Sequence, residues 1–244
     1  MDMIDPTTKD GFRTHVSEQR FDIMRQPIFD LKSNSVHHYE WLVRFKTNHG
    51  NAGVLGLAEK SGAIKDLDLS MLIQAILVLN ENPDSQAIAI NLSGASVDKP
   101  KFKKSFLACL SALKTAPNKL MIELTETWDM RELEPALDLL QTLRERGHHI
   151  CLDDVGAGAA SIRYLRALPA DWLKIDGDFI ASAMASERER AILTALLSLR
   201  DPLNVKFIAE GIETAALLKF VQDMNFDAAQ GYLLGKPEKE IRIF

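Results

Sequence analysis

Four short apolar segments of the chain each end in residues that could bind a metal ion. AIAIN ends at Asn91, KLMIE at Glu123, HICLDD at Asp153 and Asp154, and VKFIAE at Glu210. Carboxylate and amide oxygens are the ligands that hard cations such as Mg²⁺ and Mn²⁺ prefer. One acid at the end of a strand is usually a helix cap or a solvated turn residue, but the repetition along the chain favours a shared metal site.

The adjacent acids Asp153 and Asp154 indicate a site for two metal ions. Neighbouring side chains of a regular strand point to opposite faces, so both acids reach one site only where the strand breaks. Gly156 and Gly158 supply such a break. A carboxylate that bridges two metals, for which Asp153 is the candidate, is typical of sites that activate water for phosphoryl chemistry. The G-A-G turn could instead cradle a phosphate, although a lone GxG is common in loops.

Lys174 lies in the otherwise apolar segment DWLKID. A buried lysine is costly unless carboxylates pair with it, which favours a functional lysine beside the metal site. The alternative is a lysine at the rim whose ammonium group reaches water.

Strands must bring these residues together. The polar ends recur about every 30 residues, which is the length of one βα unit, and amphipathic segments separate the apolar runs. This alternation predicts a parallel sheet in an α/β fold, whose strand ends meet at one mouth. The segments FDIMRQPIFD and HHYEWLVRF are joined by LKSNS, which predicts an antiparallel hairpin at the start. Apolar residues at three- and four-residue spacing predict helices over 66–80, 101–114, 131–146, 187–200 and 214–224.

The composition suits one barrel-sized domain and limits its partners. The 244 residues are 46% hydrophobic with a net charge of -5, which argues against a broad basic surface for DNA, RNA or acidic membranes. Cys109 and Cys151 lie in apolar segments and are interpreted as free thiols, which favours a reducing, cytoplasmic setting. No apolar run approaches the roughly 20 residues of a membrane helix. Residues 1–20 are polar and predict a leader, partly helical or loosely docked, before a domain over 21–244.

Seven short motifs occur in order along nearly the whole chain: Glu40-Trp41-Leu42, Asn91-Leu92-Ser93, Glu123-Leu124-Thr125-Glu126, Asp153-Asp154-Val155-Gly156, Leu173-Lys174-Ile175-Asp176, Ala209-Glu210-Gly211-Ile212-Glu213 and Gln230-Gly231-Tyr232. In this order they resemble the EAL-domain family of cyclic di-GMP-specific phosphodiesterases, from about Phe21 to Pro237. The resemblance implies a modified TIM-type (β/α)8 barrel with an antiparallel first strand. It also implies metal-dependent hydrolysis of cyclic di-GMP, a bacterial second messenger, to linear pGpG with two Mg²⁺ or Mn²⁺ ions.

The resemblance also implies a role for each matching residue. The first metal would be bound by Glu40, Asn91, Glu123 and Asp153, and the second by Asp153, Asp154 and Glu210, partly through water. Lys174 would hold the attacking water. Positions that contact substrate correspond to Gln26, Arg44 and Gln230, with Arg44 placed to meet a phosphate. Loop support corresponds to Glu126 and Glu213, although the charge of Glu213 at a helix start is an equal alternative.

Three departures from the family pattern bear on activity. Trp41 replaces the middle alanine of the name motif, and because it neighbours Glu40 on one strand it should point away from the barrel lumen into the helix layer. Val155 replaces the usual phenylalanine after the aspartate pair. Residues 159–160 are alanines in the segment after Asp154, which in the family helps to form a homodimer. We therefore expect these departures to affect turnover and dimer coupling more than metal binding.

Two other functions compete with hydrolysis. A catalytically weak or inactive module would bind cyclic di-GMP as an effector or contact a protein partner, and Trp41 with the altered segment after Asp154 favours it. An unrelated metal-dependent barrel enzyme, such as an aldolase, is opposed by the ordered motifs. Hydrolysis is favoured over both because none of the acidic ligand positions is lost.

Four of the six histidines form two adjacent pairs, His37-His38 and His148-His149. A helical zinc site needs histidines four residues apart, so neither pair predicts zinc binding. Packing is the simpler interpretation.

Overall fold

The computed structural model describes residues 5–47, 50–97, 99–125, 134–156 and 165–240. In these ranges the strands are β1 Phe21–Asp30, β2 Ser35–Phe45, β3 Ala87–Ser93, β4 Leu120–Thr125, β5 Ile150–Val155, β6 Trp172–Ile175, β7 Lys206–Ala209, β8 Ala228–Ala229 and β9 Glu238–Lys239. The helices are α1 Lys9–Ser17, α2 Asn51–Ser61, α3 Ile64–Glu81, α4 Gly94–Val97, α5 Pro100–Leu110, α6 Glu134–Glu145, α7 Gly177–Ala185, α8 Glu187–Leu197, α9 Arg200–Leu203 and α10 Ala215–Asp223.

The strands form a closed barrel of eight. Strands β2 to β8 lie side by side in chain order and pair in parallel. Strand β1 closes the barrel between β8 and β2 and is antiparallel to both, and β9 pairs with β1 at Met24 and Arg25. The predicted TIM-type barrel with an antiparallel first strand is confirmed, and so is the hairpin that opens it.

The predicted helices correspond to α3, α5, α6, α8 and α10, with differences at their ends. The helix predicted over 101–114 ends at Leu110, because the Asn80 side chain binds the following backbone at Ala112 O (2.8 Å) and Lys114 N (2.7 Å). The start predicted at residue 131 lies outside the described residues. Five of these helices, α1, α2, α4, α7 and α9, were not predicted as separate helices.

Helix α1 packs against the barrel. Thr8 caps its start by accepting a hydrogen bond from Gly11 N (3.1 Å), and its apolar side chains Phe12 and Val16 are buried in the main core. The segment is therefore helical and docked through two residues, although its other side chains are polar. A domain boundary at residue 20 stays a prediction.

Two sets of side chains point into the barrel lumen, and each of the eight barrel strands, or the residue directly after it, contributes to both. One set forms the floor and is called here the plug set: Ile28, His38, Ala89, Met121, Cys151, Trp172, Ile208 and Ala228. The other set lies two residues along each strand, nearer the mouth, and is called the polar set: Gln26, Glu40, Asn91, Glu123, Asp153, Lys174, Glu210 and Gln230. The two-residue step follows from strand geometry, because alternate side chains face the same side.

A separate and larger apolar core lies between the barrel and the surrounding helices. Trp41 belongs to it and is 3% exposed, so its side chain points away from the lumen as expected. Both cysteines are free, with Cys151 buried in the plug set and Cys109 partly exposed. Across the described parts of the chain, none of the helices combines the length and apolar character needed to cross a membrane.

Candidate active site

Lys174 lies at the centre of the polar set. It is 1% exposed, and its Nζ lies within 3.3 Å of an oxygen of each of four carboxylates. The rim alternative for this lysine is therefore wrong. The distances are 3.3 Å to Glu40, 3.1 Å to Glu123, 3.0 Å to Asp153 and 2.8 Å to Glu210.

The acids form two overlapping groups of three. Glu40, Glu123 and Asp153 present oxygens within 4.8 Å of one another, and so do Asp153, Asp154 and Glu210. We call these the buried triad and the open triad. Asp153 belongs to both, which is the position expected of a ligand that bridges two metals. All the charged donors are carboxylates, so the arrangement suits hard divalent cations and forms a candidate metal centre.

Amides hold Glu40 in place. Asn91 Nδ2 donates to Glu40 Oε1 at 3.0 Å, and Gln230 Nε2 donates to Glu40 Oε2 at 2.7 Å. Because the Asn91 amide nitrogen points at Glu40, its carbonyl oxygen is the atom that could bind a cation. Glu40 is therefore fixed from both sides.

A strand irregularity brings Asp153 and Asp154 to the same site. The register of β5 against β6 shifts between Leu152 and Val155, and Asp154 has a positive φ of 54°. Asp154 N donates to Asp153 Oδ1 at 3.1 Å, which fixes the two acids relative to each other. The break continues at Gly156, whose φ is 110°. The predicted strand break is confirmed at these residues, whereas Gly158 lies outside the described part of the chain.

Glu210 enters the site from the loop after β7. The next residue, Gly211, has a φ of 66°, and a Cβ at this position would lie 2.9 Å from Gly177 Cα. Only glycine allows the ends of β6 and β7 to approach so closely. The same approach places Glu210 beside Lys174.

The electrostatics of the site are governed by burial and by Lys174. Burial raises the pKa of Glu123 well above its usual value, and raises the pKa of Glu210 to about 7, in each case against the lowering effect of Lys174. Burial also opposes ionisation of Glu40, but Lys174 and the amides of Gln230 and Asn91 outweigh it and lower its pKa. The pKa of Lys174 lies well above its usual value because the surrounding carboxylates outweigh its burial. An acid that is protonated in the folded protein must release its proton when a cation binds to it. The affinity of this cluster for metal ions should therefore depend on pH.

Two cavities meet at the polar set. An open cavity of about 420 Å³ is lined by Gln26, Glu40, Asp153, Glu210 and Gln230. A second cavity of about 250 Å³ is lined by Arg44, Glu40, Asn91 and Asp153. Gln26 Nε2 donates to Gly235 O at 3.1 Å, and Arg44 Nη1 donates to Val43 O at 2.9 Å. The structure thus places the three predicted substrate residues at the cavities that share Glu40 and Asp153.

Of the two residues predicted to support loops, Glu213 lies within the described residues and Glu126 does not. Glu213 is exposed and lines the open cavity, two residues before α10, which Thr214 caps by accepting from Leu217 N. Asp178 and Tyr232 also line this cavity, and neither was predicted as a site residue. Tyr232 had a signal, since it follows Gln230-Gly231 in a motif, whereas nothing in the sequence marked Asp178.

The family model described as "EAL domain" matches residues 10–237. The chain belongs to the EAL-domain family. This EAL-domain chain is 31% identical over 239 residues to the cyclic di-GMP phosphodiesterase NbdA of Pseudomonas aeruginosa, covering 94% of the chain and 30% of NbdA. It is 31% identical over 220 residues to the probable cyclic di-GMP phosphodiesterase PdeG of Escherichia coli, covering 87% of the chain and 43% of PdeG. The chain therefore spans less than half the length of these relatives.

A solved EAL-domain structure is similar over most of both chains. The MucR phosphodiesterase in complex with cyclic di-GMP, whose full protein is a bifunctional enzyme of Pseudomonas aeruginosa, superimposes with a TM-score of 0.81 at 31% identity. The comparison covers 94% of this chain and 96% of the MucR chain. Similarity to an EAL domain thus extends through the barrel and its mouth.

Proposed function

We propose that this EAL-domain chain hydrolyses cyclic di-GMP to linear pGpG and needs two Mg²⁺ or Mn²⁺ ions to do so. The observation that carries the proposal is the pair of acidic triads that share Asp153 at the barrel mouth. The relatives named cyclic di-GMP phosphodiesterases and the MucR complex supply the substrate class.

The residues of the polar set fit two divalent cations. The first would be held by Glu40, Asn91, Glu123 and Asp153, and the second by Asp153, Asp154 and Glu210, partly through water. Two such ions would lower the pKa of a bound water and neutralise charge on the phosphodiester. The shared carboxylate of Asp153 supports this assignment, since it belongs to both triads.

Lys174 would hold the attacking water. An ammonium group has three protons, and here its Nζ lies among four carboxylates, three on strands and that of Glu210 in the loop after β7. These contacts fix the position of the ammonium within the lumen, and cations bound to the carboxylates would leave one of its protons for a water at the mouth. The ammonium also stabilises the acids against their mutual repulsion.

Substrate would be bound by Gln26, Arg44 and Gln230. The guanidinium of Arg44 suits two oxygens of one phosphate, and its cavity shares Asn91 and Asp153 with the triads. Gln26 and Gln230 line the open cavity beside Glu210. A dinucleotide spanning the two cavities would place a phosphodiester over Asp153. Glu213, and Glu126 outside the described residues, would support the adjoining loops.

The alternative, a module that binds cyclic di-GMP without turnover, rests on departures from the family pattern. The Trp41 side chain packs in the outer core but also lines the cavity of about 250 Å³ beside Arg44, while Glu40 keeps its place in the polar set. The retained place of Glu40 supports hydrolysis. A homodimer through the segment after Asp154 stays a prediction, since residues 157–164 lie outside the described part, and so does a cytoplasmic location.

The test is incubation of the purified protein with cyclic di-GMP and Mg²⁺ or Mn²⁺, followed by chromatographic separation of nucleotides. We expect pGpG from the wild type and none from Glu40→Ala. Glu145→Ala changes an exposed glutamate near the end of α6 and should leave the rate unaltered. A wild type that binds the dinucleotide but yields no pGpG with either metal would overturn hydrolysis and favour the effector.

A further inference from the structure

His38 is the polar exception in the plug set. The other seven members are Ile28, Ala89, Met121, Cys151, Trp172, Ile208 and Ala228, all of them apolar. His38 lies among them on β2 with 0% of its surface exposed, two residues from Glu40. An imidazole in such surroundings needs polar partners, because burying an unpaired donor or acceptor is unfavourable.

One ring nitrogen has a partner and the other faces a proposed metal ligand. His38 Nδ1 lies 2.8 Å from His37 Nδ1, so one of the two nitrogens donates to the other. His38 Nε2 lies 4.0 Å from Glu123 Oε1. Both of these atoms are buried, and neither has a hydrogen-bond partner within the described residues. The other oxygen of Glu123 contacts Lys174 at 3.1 Å.

The chemistry of the two groups decides the direction of the contact. A carboxylate that binds a metal ion can only accept hydrogen bonds, so the proton must lie on His38 Nε2. In neutral His38 the Nδ1 then accepts from His37 Nδ1–H. A protonated His38 would also donate from Nε2. The contact therefore does not depend on the charge of the ring.

We propose that His38 is a positioning residue for Glu123, whose carboxylate it orients toward the first divalent cation by donating a hydrogen bond from Nε2 to Oε1. The inference rests on the metal site of the proposed function. A relative movement of about 1 Å brings the 4.0 Å separation to hydrogen-bond distance. Histidine thereby holds one Glu123 oxygen from the barrel floor while the other faces Lys174 and the mouth.

A role limited to filling space predicts a different pattern of mutant effects. Hydrogen-bond partners of metal ligands typically change metal affinity by roughly 10–100-fold when they are removed. His38→Leu fills the site without a donor, whereas His38→Gln offers an amide that can donate to Glu123. If His38 positions Glu123, the glutamine variant should bind the metal more tightly than the leucine variant. If His38 only fills space, the two variants should have equal metal affinity.

The experiment measures Mn²⁺ binding to the whole protein without substrate, by the electron paramagnetic resonance signal of free Mn²⁺. We expect His38→Leu to weaken binding by roughly tenfold or more and His38→Gln to recover most of the affinity. Ile28→Val, a conservative change in the plug set beneath Gln26, is the packing control and should bind Mn²⁺ like the wild type. Thermal unfolding of each variant checks that it is folded.

Each outcome decides the inference. Equal Mn²⁺ affinity of the leucine and glutamine variants overturns it, whether both match the wild type or both are weakened, and so does a wild type without Mn²⁺ binding. If either variant fails to fold, His38→Asn, which also has an amide donor, and His38→Met replace the pair under the same criterion. A wild type that binds Mn²⁺ without producing pGpG contradicts hydrolysis but leaves the affinity comparison intact.

Discussion

The buried triad and the open triad share Asp153 but are built differently. Glu40 and Glu123 project from regular strand positions and are almost fully buried, with ladder partners on both sides. Asp154 is exposed and has a positive φ at a strand irregularity, and Glu210 comes from a loop. The difference teaches that one half of the site is fixed by strand geometry and the other by local backbone conformation. Mutations should therefore affect the two halves unequally.

The largest effect is expected in the buried triad. Glu123→Gln keeps the side-chain shape but removes a carboxylate that water cannot replace in the closed lumen. We expect the rate of pGpG formation to fall by roughly a thousandfold, since a lost metal ligand removes several kcal/mol of transition-state stabilisation. Chromatographic rates at saturating Mn²⁺ measure this. A rate within tenfold of the wild type would show that burial does not make this ligand essential.

A smaller effect is expected in the open triad. Asp154→Asn removes an exposed carboxylate whose place water can partly take. We expect a loss of roughly 10–100-fold at low Mn²⁺ that shrinks as Mn²⁺ is raised. Rates across a Mn²⁺ titration measure it. If Asp154→Asn is as damaging as Glu123→Gln at every metal concentration, the two halves are equally rigid and the comparison fails.

A buried acid outside the lumen shows what Lys174 contributes to the triads. Asp68 is buried, receives a hydrogen bond from Ser96 Oγ and has no lysine partner among the described residues, and burial raises its pKa to about 8. Because the folded-state pKa lies above the unfolded value, the unfolded chain loses its proton first as pH rises. Asp68 therefore lowers stability progressively between about pH 4 and pH 8.

Asp68→Asn should remove this penalty. We expect the free energy of unfolding to increase by about 2 kcal/mol at pH 8, with no gain near pH 4. Urea unfolding at the two pH values measures the difference. Asp66→Asn, on the same helix but in an exposed pair with Arg13, is the control and should change little. An equal gain from Asp68→Asn at both pH values would mean that its burial does not control its protonation.

The smallest effect is expected from the backbone that carries the open triad. A Cβ at Gly156 would lie 2.6 Å from Phe179 Cδ1, and its φ of 110° disfavours other residues. Gly156→Ala should lower stability by about 1 kcal/mol and reduce turnover several-fold through a displaced Asp154. Gly147 has a comparable φ of 89° and lies far from the mouth. Gly147→Ala should therefore lower stability without changing turnover. Equal turnover of the two variants would show that the backbone conformation at Gly156 does not control the position of Asp154.

The apolar runs marked strand ends in both halves of the site, including Asp154 and Glu210 of the open triad. Apolar runs ending in Asn91 and Glu123 mark parallel strands, because in each the polar residue lies two positions beyond a plug residue. Gln26 does not follow this rule, since β1 runs antiparallel and its polar residue precedes Ile28; only the family resemblance marked it. Helix α2 was missed because Gly53 and Gly56 weaken its helical pattern.

Contacts across the lumen were beyond the sequence pattern. In the sequence, His37-His38 is only a pair whose spacing does not suit a helical zinc site. The folded barrel shows that the ring of His38 faces Glu123. The four contacts of Lys174 likewise depend on strands far apart in the chain. The order of the motifs named the candidate metal ligands but not these distances.

The short strand β8 also has a consequence for how the chain folds. The barrel wall closes where β1 meets β8 at only two residue pairs and β9 at two more. The nearby hydrogen bond from Gln26 to Gly235 joins residues 209 positions apart. Contacts of such sequence separation form late and slow folding. During synthesis, the first strand must therefore wait for almost the entire chain before its second edge is paired.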